Sequence, residues 1–159
     1  MFGRFFKSKN IKIFSPLDGK IVPLEDVPDK VFSQKLVGDG IAIVPTSSTV
    51  VAPIQGTISR LFSTNHAFSI NDGSNIEVMV HIGLDTVELE GKGFRALVKE
   101  GDRVEIGTPI IRIDKEYIKS QGKDIITPIV VSSEKEIEIQ KHKVSMVREG
   151  ELLLEVKFL

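Results

Sequence analysis

The sequence predicts an all-β fold: a mostly antiparallel β-sandwich or barrel with very little helix. Three observations carry that prediction. Ile and Val greatly outnumber Ala, which disfavours long helices and suits pleated strands. Turn chemistry recurs about every eight to twelve residues, from Asp18-Gly19 through Gly38-Asp39-Gly40, Asp72-Gly73 and Gly101-Asp102 to Glu149-Gly150. Short apolar runs, rich in Ile and Val, fill the intervals.

The expected strands follow in order. Ile11–Phe14 stops at Ser15-Pro16, and Gly19–Pro23 starts on the Asp18-Gly19 turn. Ile41–Pro45 leaves the Gly38-Asp39-Gly40 turn, Thr49–Ala52 ends before Pro53, and Gly56–Leu61 opens on a glycine. Ala67–Ile70 and Ile76–Ile82 flank a polar turn around Asp72-Gly73. Phe94–Leu97 follows Gly91-Lys92-Gly93, and Pro109–Ile113 follows Gly107. Ile126–Val131 comes after Gly122, and Leu152–Phe158 after Glu149-Gly150. One or two helical turns are expected near Lys115–Gln121 and another near Leu84–Val87. Two internal echoes suggest a duplicated β motif. Ser15-Pro16-Leu17-Asp18-Gly19-Lys20-Ile21 resembles Ala52-Pro53-Ile54-Gln55-Gly56-Thr57-Ile58, and Val98–Asp102 resembles Val147–Glu151.

Composition narrows the function. A chain of 159 residues with 41% apolar content reads as one domain with a real core, residues 11–159, behind a flexible segment of residues 1–10. The net charge of −1 provides no basic field for nucleic acid. Cysteine is absent, which excludes disulfide and thiolate chemistry and fits a reducing, cytoplasmic setting. No apolar run reaches the roughly 18 residues of a spanning helix. The start mixes Phe2, Phe5 and Phe6 with Arg4, Lys7 and Lys9, and reads either as a loose basic end or as a short membrane-touching segment.

The chemistry points to His66 and His81, two of only three histidines. A two-residue turn at Gly73-Ser74 pairs residues whose numbers sum to 147, as 66 and 81 do, and brings the two imidazoles face to face. Only an odd slip would part them, and such a slip is expected to turn Ile76, Val78, Val80 and Ile82 toward water. On this register His66 shares a side with Phe68 and Ile70, and His81 with Glu77 and Met79, so the histidines sit in an apolar frame. Neutral imidazole is a good nucleophile near pH 7. An apolar rim suits docking and keeps water from a labile phosphoryl group. The second imidazole would donate to a phosphoryl oxygen, Thr64 would orient His66, and Gly83 would leave room beside the phosphoryl group. From pattern alone, two surface histidines in an ordinary hairpin read as well. His142, in KEIEIQKHK, reads as a solvated surface residue.

Val27–Ile43 (VPDKVFSQKLVGDGIAI), Val51–Ile70 (VAPIQGTISRLFSTNHAFSI) and Val80–Phe94 (VHIGLDTVELEGKGF) resemble the glucose-type IIA component of the bacterial phosphoenolpyruvate-dependent sugar phosphotransferase system. The resemblance runs from about Ile11 to the C-terminus. It implies an antiparallel β-sandwich built from a duplicated motif. It implies that His81 carries the phosphoryl group on Nε2, that His66 supports onward transfer, and that Thr64 hydrogen-bonds His66. The implied donor is phospho-HPr and the implied acceptor a IIB domain of a sugar permease. The docking surface carried over is Phe32, Leu36, Val37, Phe62, Phe68, Met79 and Val87. Asp29 and Asp85 match acidic residues that meet a basic partner group. Asp29 also reads as a turn residue and Asp85 as a helix-start carboxylate. No cofactor is implied. Zinc at His66 and His81 is conditional on a partner carboxylate, because two imidazoles leave a four-ligand metal incomplete.

Three rivals remain at the level of sequence. A zinc peptidase of related fold would use the His81-x-x-x-Asp85 spacing, but the chain lacks an H-x-H pattern. A biotinyl- or lipoyl-type carrier would present a lysine at the hairpin tip, where Asn71–Asn75 has none. A regulator of transporters or kinases would use the same apolar face and prefer its unphosphorylated form, since a phosphoryl group adds about −1.5 to −2 charges.

Overall fold

The computed structural model describes residues 10–142 and 144–159, so the N-terminal Phe/Lys stretch lies outside the described residues. The strands are β1 Ile11–Phe14, β2 Gly19–Pro23, β3 Asp39–Pro45, β4 Thr49–Val51, β5 Gly56–Leu61, β6 Ala67–Asn71 and β7 Glu77–His81. They continue with β8 Phe94–Ala96, β9 Arg103–Val104, β10 Pro109–Ile113, β11 Thr127–Ser132, β12 Ile137–Lys141, β13 Met146–Val147 and β14 Leu152–Phe158. The helices are α1 Lys30–Ser33 and α2 Lys115–Ser120, with 3-10 turns at Leu24–Asp26 and Thr86–Leu89. Every strand pairing among the described residues is antiparallel. The all-β expectation holds.

The strands missing from the expected set were hidden for two reasons. Strands β9 and β13 have two residues each, too few to show a period. Strand β12 lies inside the charged KEIEIQKHK run, where alternating Ile137 and Ile139 were masked by their polar neighbours. Helix α1 has four residues and is announced only by its cap, Asp29, whose Oδ1 accepts the Val31 N–H at 2.9 Å.

An eight-stranded sheet runs β13-β2-β3-β11-β7-β6-β5-β9, flanked by three-stranded sheets β1-β14-β12 and β4-β10-β8. The order has an internal two-fold pattern. One unit is contiguous, β4 to β10. The other is split between β1–β3 and β11–β14, and the halves meet at the β11·β7 pairing. Hydrogen bonds repeat across the two units. Ser15 N–H donates to the Glu151 carbonyl at 2.7 Å, and Ala52 N–H to Thr108 at 2.8 Å. Gly150 N–H donates to the Ser15 carbonyl and Gly107 N–H to Ala52, both at 2.9 Å. The first sequence echo is therefore a true repeat. The second echo is real as turn chemistry, since Lys99 N–H bonds to Asp102 Oδ2 as Arg148 N–H does to Glu151 Oε1, but by strand position the two-fold counterpart of Val147–Glu151 is Val104–Thr108. Glu105 N–H bonds to Thr108 Oγ1, as Arg148 N–H bonds to Glu151 Oε1.

The hairpin register is also corrected. Ala67 pairs with His81, Phe68 with Val80 and Ile70 with Val78, so paired numbers sum to 148. The turn is one residue longer than expected. Asp72 N–H donates to the Ile76 carbonyl at 3.1 Å, and Asp72 Oδ1 accepts from Ser74 and Ile76 N–H. Gly73 and Asn75 take φ of 88° and 77°, conformations glycine and asparagine tolerate. The odd slip does not expose Val78 and Val80. It rotates Phe68 and Ile70 instead, placing them opposite the core residues of β7, and all four are fully buried. Ile76 and Ile82 stay buried as well. A face-to-face match of apolar residues decides the register, and the turn adapts to it.

The main core lies among the sheets and includes Ile13, Ile43, Ile58, Phe68, Ile70, Val80, Ile111 and Leu154. A second cluster joins Leu24, Val27 and Phe32 to Ala42, Leu84, Ile126 and Val130, with Met79 packed against it. That cluster seats the segment around α1 next to the end of β7. Burying Phe32, 4% exposed, contributes roughly 2 to 3 kcal/mol by its apolar area. Lys141 Nζ bonds Asp39 Oδ1 at 2.9 Å, and Lys35 lies 3.4 Å from Glu25. These partly exposed pairs add little each.

Candidate active site

His81 is the last residue of β7, and His66 stands one residue before β6. The two meet although the register does not pair them. Regular alternation stops at Ala67, and His66 is delivered by a turn in which Asn65 has φ of 57°. Asn65 N–H donates to the Phe62 carbonyl at 2.8 Å, and Ile82 N–H to the His66 carbonyl at 2.7 Å. The imidazoles lie edge to face, centroids 5.0 Å apart and planes at 82°. His66 is 3% exposed, whereas His81 is partly open to solvent.

Each ring has its Nδ1 engaged. Thr64 Oγ1 is 2.6 Å from His66 Nδ1. His81 Nδ1 is 2.7 Å from the carbonyl of Gly83. A carbonyl can only accept, so the His81 proton sits on Nδ1 and the Nε2 lone pair is free. Burial, with the neighbouring His81, pulls His66 down to about 4. Burial also lowers His81, opposed by its hydrogen bond to Gly83 and by the charges of Asp29 and Asp85. Both imidazoles are therefore neutral at pH 7.

Aromatic rings wedge the pair. Phe32 lies 5.0 Å from His81, Phe62 lies 5.3 Å from His66, and Arg60 stacks on Phe62 at 4.0 Å. Leu36, Val87 and Val37 are 67%, 52% and 40% exposed, while Met79 and Phe62 are half-buried. Among the expected docking residues Phe32 is also buried, 4% exposed, but it lies against His81, whereas Phe68 is removed from the surface altogether. It is fully buried in the main core, because the register puts it opposite Val80, and it cannot touch a partner.

Asp29 caps α1, whereas Asp85 makes no cap bond and sits at φ of 56°. Gly83 also departs from expectation. Its φ is 78°, and a Cβ there would meet Thr86 Cγ2 at 2.6 Å and the Asp124 carbonyl at 2.7 Å. The glycine is demanded by its own backbone rather than by room for a phosphoryl group. Sequence reading missed its carbonyl, which leaves no side-chain signal. The Arg60–Phe62 stack could have been read from their i, i+2 spacing where β5 ends at Leu61. His142 is exposed and outside the site.

Zinc fits only in part. No group of three or more His, Cys, Asp or Glu among the described residues could hold a metal. The two imidazoles supply at most two ligands through Nε2, and the other two would come from outside this chain. Among the described residues, the zinc-peptidase rival finds no set of three ligands. Among the described residues, no helix is long and apolar enough to cross a membrane.

Comparison with known proteins gives a consistent result. Residues 11–137 match the family model described as phosphoenolpyruvate-dependent sugar phosphotransferase system, EIIA 1. A glucose-specific EIIA component from Buchnera aphidicola is 51% identical, over 83% of this chain and 82% of its own. One from Staphylococcus epidermidis is 48% identical, over 90% of this chain and 87% of its own. Among solved structures, the glucose permease IIA from Mycoplasma capricolum superposes with a TM-score of 0.87 at 36% identity. That match covers 93% of this chain and 96% of the other.

Proposed function

This chain belongs to the phosphoenolpyruvate-dependent sugar phosphotransferase system EIIA 1 family, and from that membership we propose how its residues carry the phosphoryl group. The protein is a phosphocarrier of sugar uptake that works through a phosphohistidine intermediate and needs no cofactor. His81 is the acceptor. The observation that carries this assignment is the His81 Nδ1–Gly83 carbonyl bond at 2.7 Å, which holds the nucleophilic lone pair on Nε2. Its partial exposure lets a donor reach it, whereas His66 is buried.

In the transfer, Nε2 of His81 attacks phosphorus as the nitrogen–phosphorus bond of the donor's phosphoimidazole breaks. The donor ring leaves with the bonding pair, and His81 keeps its Nδ1 proton. The exchange is between two imidazoles, so positioning and charge balance do most of the work. His66 acts second. With the Thr64 hydroxyl donating to Nδ1, its proton lies on Nε2, available to a phosphoryl oxygen.

HPr is the donor and a IIB domain the acceptor. Both meet an apolar patch of Leu36, Val37 and Val87, with Phe32, Phe62 and Met79 beneath and Asp29 and Asp85 beside it. The acidic pair suits a partner with basic groups around an apolar centre. The site of action is the cytoplasmic side of the membrane, where HPr and the IIB domain would be found.

The test is phosphorylation with enzyme I, HPr and phosphoenolpyruvate, read by intact mass. One acid-labile phosphoryl group on wild type and none on His81→Ala is expected. An equally phosphorylated His81→Ala would refute the acceptor. His66→Gln should accept the group and pass it on slowly; a normal rate to a IIB domain would refute its role.

A further inference from the structure

The tautomer of His81 depends on one backbone carbonyl, and that carbonyl belongs to a glycine. Glycine rotates about its own bonds more freely than any other residue, so something must hold this one. The Gly83–Leu84 peptide is gripped at both ends. Its carbonyl accepts from His81 Nδ1 at 2.7 Å, and its N–H donates to the Asp124 carbonyl at 3.0 Å. The preceding peptide is held by a side chain. Thr86 Oγ1 donates to the Ile82 carbonyl at 2.6 Å, while the Ile82 N–H donates to the His66 carbonyl at 2.7 Å. Thr86 is fully buried, and its methyl group lies on the side where a Gly83 Cβ would stand.

Thr86 therefore fixes one peptide plane by its hydroxyl and blocks the space beside the next with its methyl. Without the hydroxyl, the Ile82 carbonyl is left buried and unpaired in the native turn. Rotation about Gly83 can relieve that loss by turning the Ile82 carbonyl elsewhere. The same rotation takes the Gly83 carbonyl off His81 Nδ1. The imidazole then has no reason to keep its proton there, and the fraction with a free Nε2 lone pair falls.

We propose that Thr86 is a positioning residue for the phosphoryl acceptor, acting through the Ile82 and Gly83 peptides to hold His81 with Nε2 unprotonated. This inference rests on His81 being the acceptor. It makes no contact with donor or acceptor proteins necessary, so it affects the chemical step rather than docking.

The test compares wild type with Thr86→Val and Thr86→Ser. Long-range 1H–15N spectra of the neutral imidazole report which His81 nitrogen is protonated, without any phosphotransfer. Wild type and Thr86→Ser should show protonated Nδ1 and bare Nε2, and Thr86→Val should show the two nitrogens averaged. The single-turnover rate of phosphorylation by phospho-HPr should fall about five- to tenfold in Thr86→Val at saturating donor and recover in Thr86→Ser. The KM for the donor should stay unchanged. A wild-type His81 tautomer in Thr86→Val, or an equal rate loss in Thr86→Ser, would overturn the proposal. Should Thr86→Val fail to fold, Thr86→Ala makes the same comparison with less crowding. Failure of the acceptor assignment is seen separately, as wild type that takes no phosphoryl group on His81, and the tautomer spectra still decide the role of Thr86.

Discussion

The depressed His66 gives the protein a pH-dependent stability that one substitution should remove. In the unfolded chain His66 titrates near its ordinary value of about 6.5. In the folded protein burial and His81 hold it at about 4. Between those values the unfolded chain binds a proton that the folded one refuses. Stability therefore falls as pH drops through this window and is fully present above about 6.5. Integrated from pH 8 to pH 5, the loss from this one group is about 2 kcal/mol. With a urea slope of about 2 kcal/mol per molar, the midpoint should fall by about 1 M. His66→Gln has no such proton to bind. The assay is urea unfolding of wild type and His66→Gln at pH 8 and pH 5. The carboxylates and His81 contribute to both proteins, so the difference between the two pH responses isolates His66. A difference below about 0.5 kcal/mol would show that His66 titrates normally and that its burial does not control its charge.

Three further outcomes follow from the geometry. Gly83→Ala should lose about 2 to 4 kcal/mol in urea unfolding, because an ordinary side chain dislikes φ of 78° and the new methyl meets Thr86 and Asp124. Thr64→Val should cost about 1 kcal/mol of stability and slow transfer to a IIB domain more than acceptance from HPr, measured as two separate single-turnover rates. Leu36→Asp, at a position 67% exposed, should leave the urea midpoint unchanged and raise the KM for phospho-HPr by about tenfold. An unchanged KM would remove Leu36 from the docking patch.

Legibility differed by kind of feature. The strands were visible because Ile/Val runs and turn residues are local signals, and Ile11–Phe14, Gly19–Pro23 and Pro109–Ile113 fall where the pattern put them. The first repeat, around Pro16 and Pro53, was visible because both copies kept the same turn chemistry. Val98–Asp102 repeats the turn bonds of Val147–Glu151 as its sequence suggests, whereas the counterpart by strand position, Val104–Thr108, was hidden because it shares those bonds but little of the sequence. Thr64 beside His66 was readable from a two-residue spacing. Phe68 was misplaced because a one-residue error in turn length changes the face of every residue on one arm.

The sequence by itself determined the class of fold, the two histidines and the family, because these rest on local periodicity and on long, specific motifs. Tertiary structure decided how the histidines meet. Strand pairing follows from the burial of Phe68, Ile70, Val78 and Val80, a many-body packing choice that no local pattern contains. The choice of tautomer at His81 rests on a backbone carbonyl, and carbonyls are the same in every residue. Only the path of the chain through Gly83, held by Thr86 and Asp124, gives that one its direction.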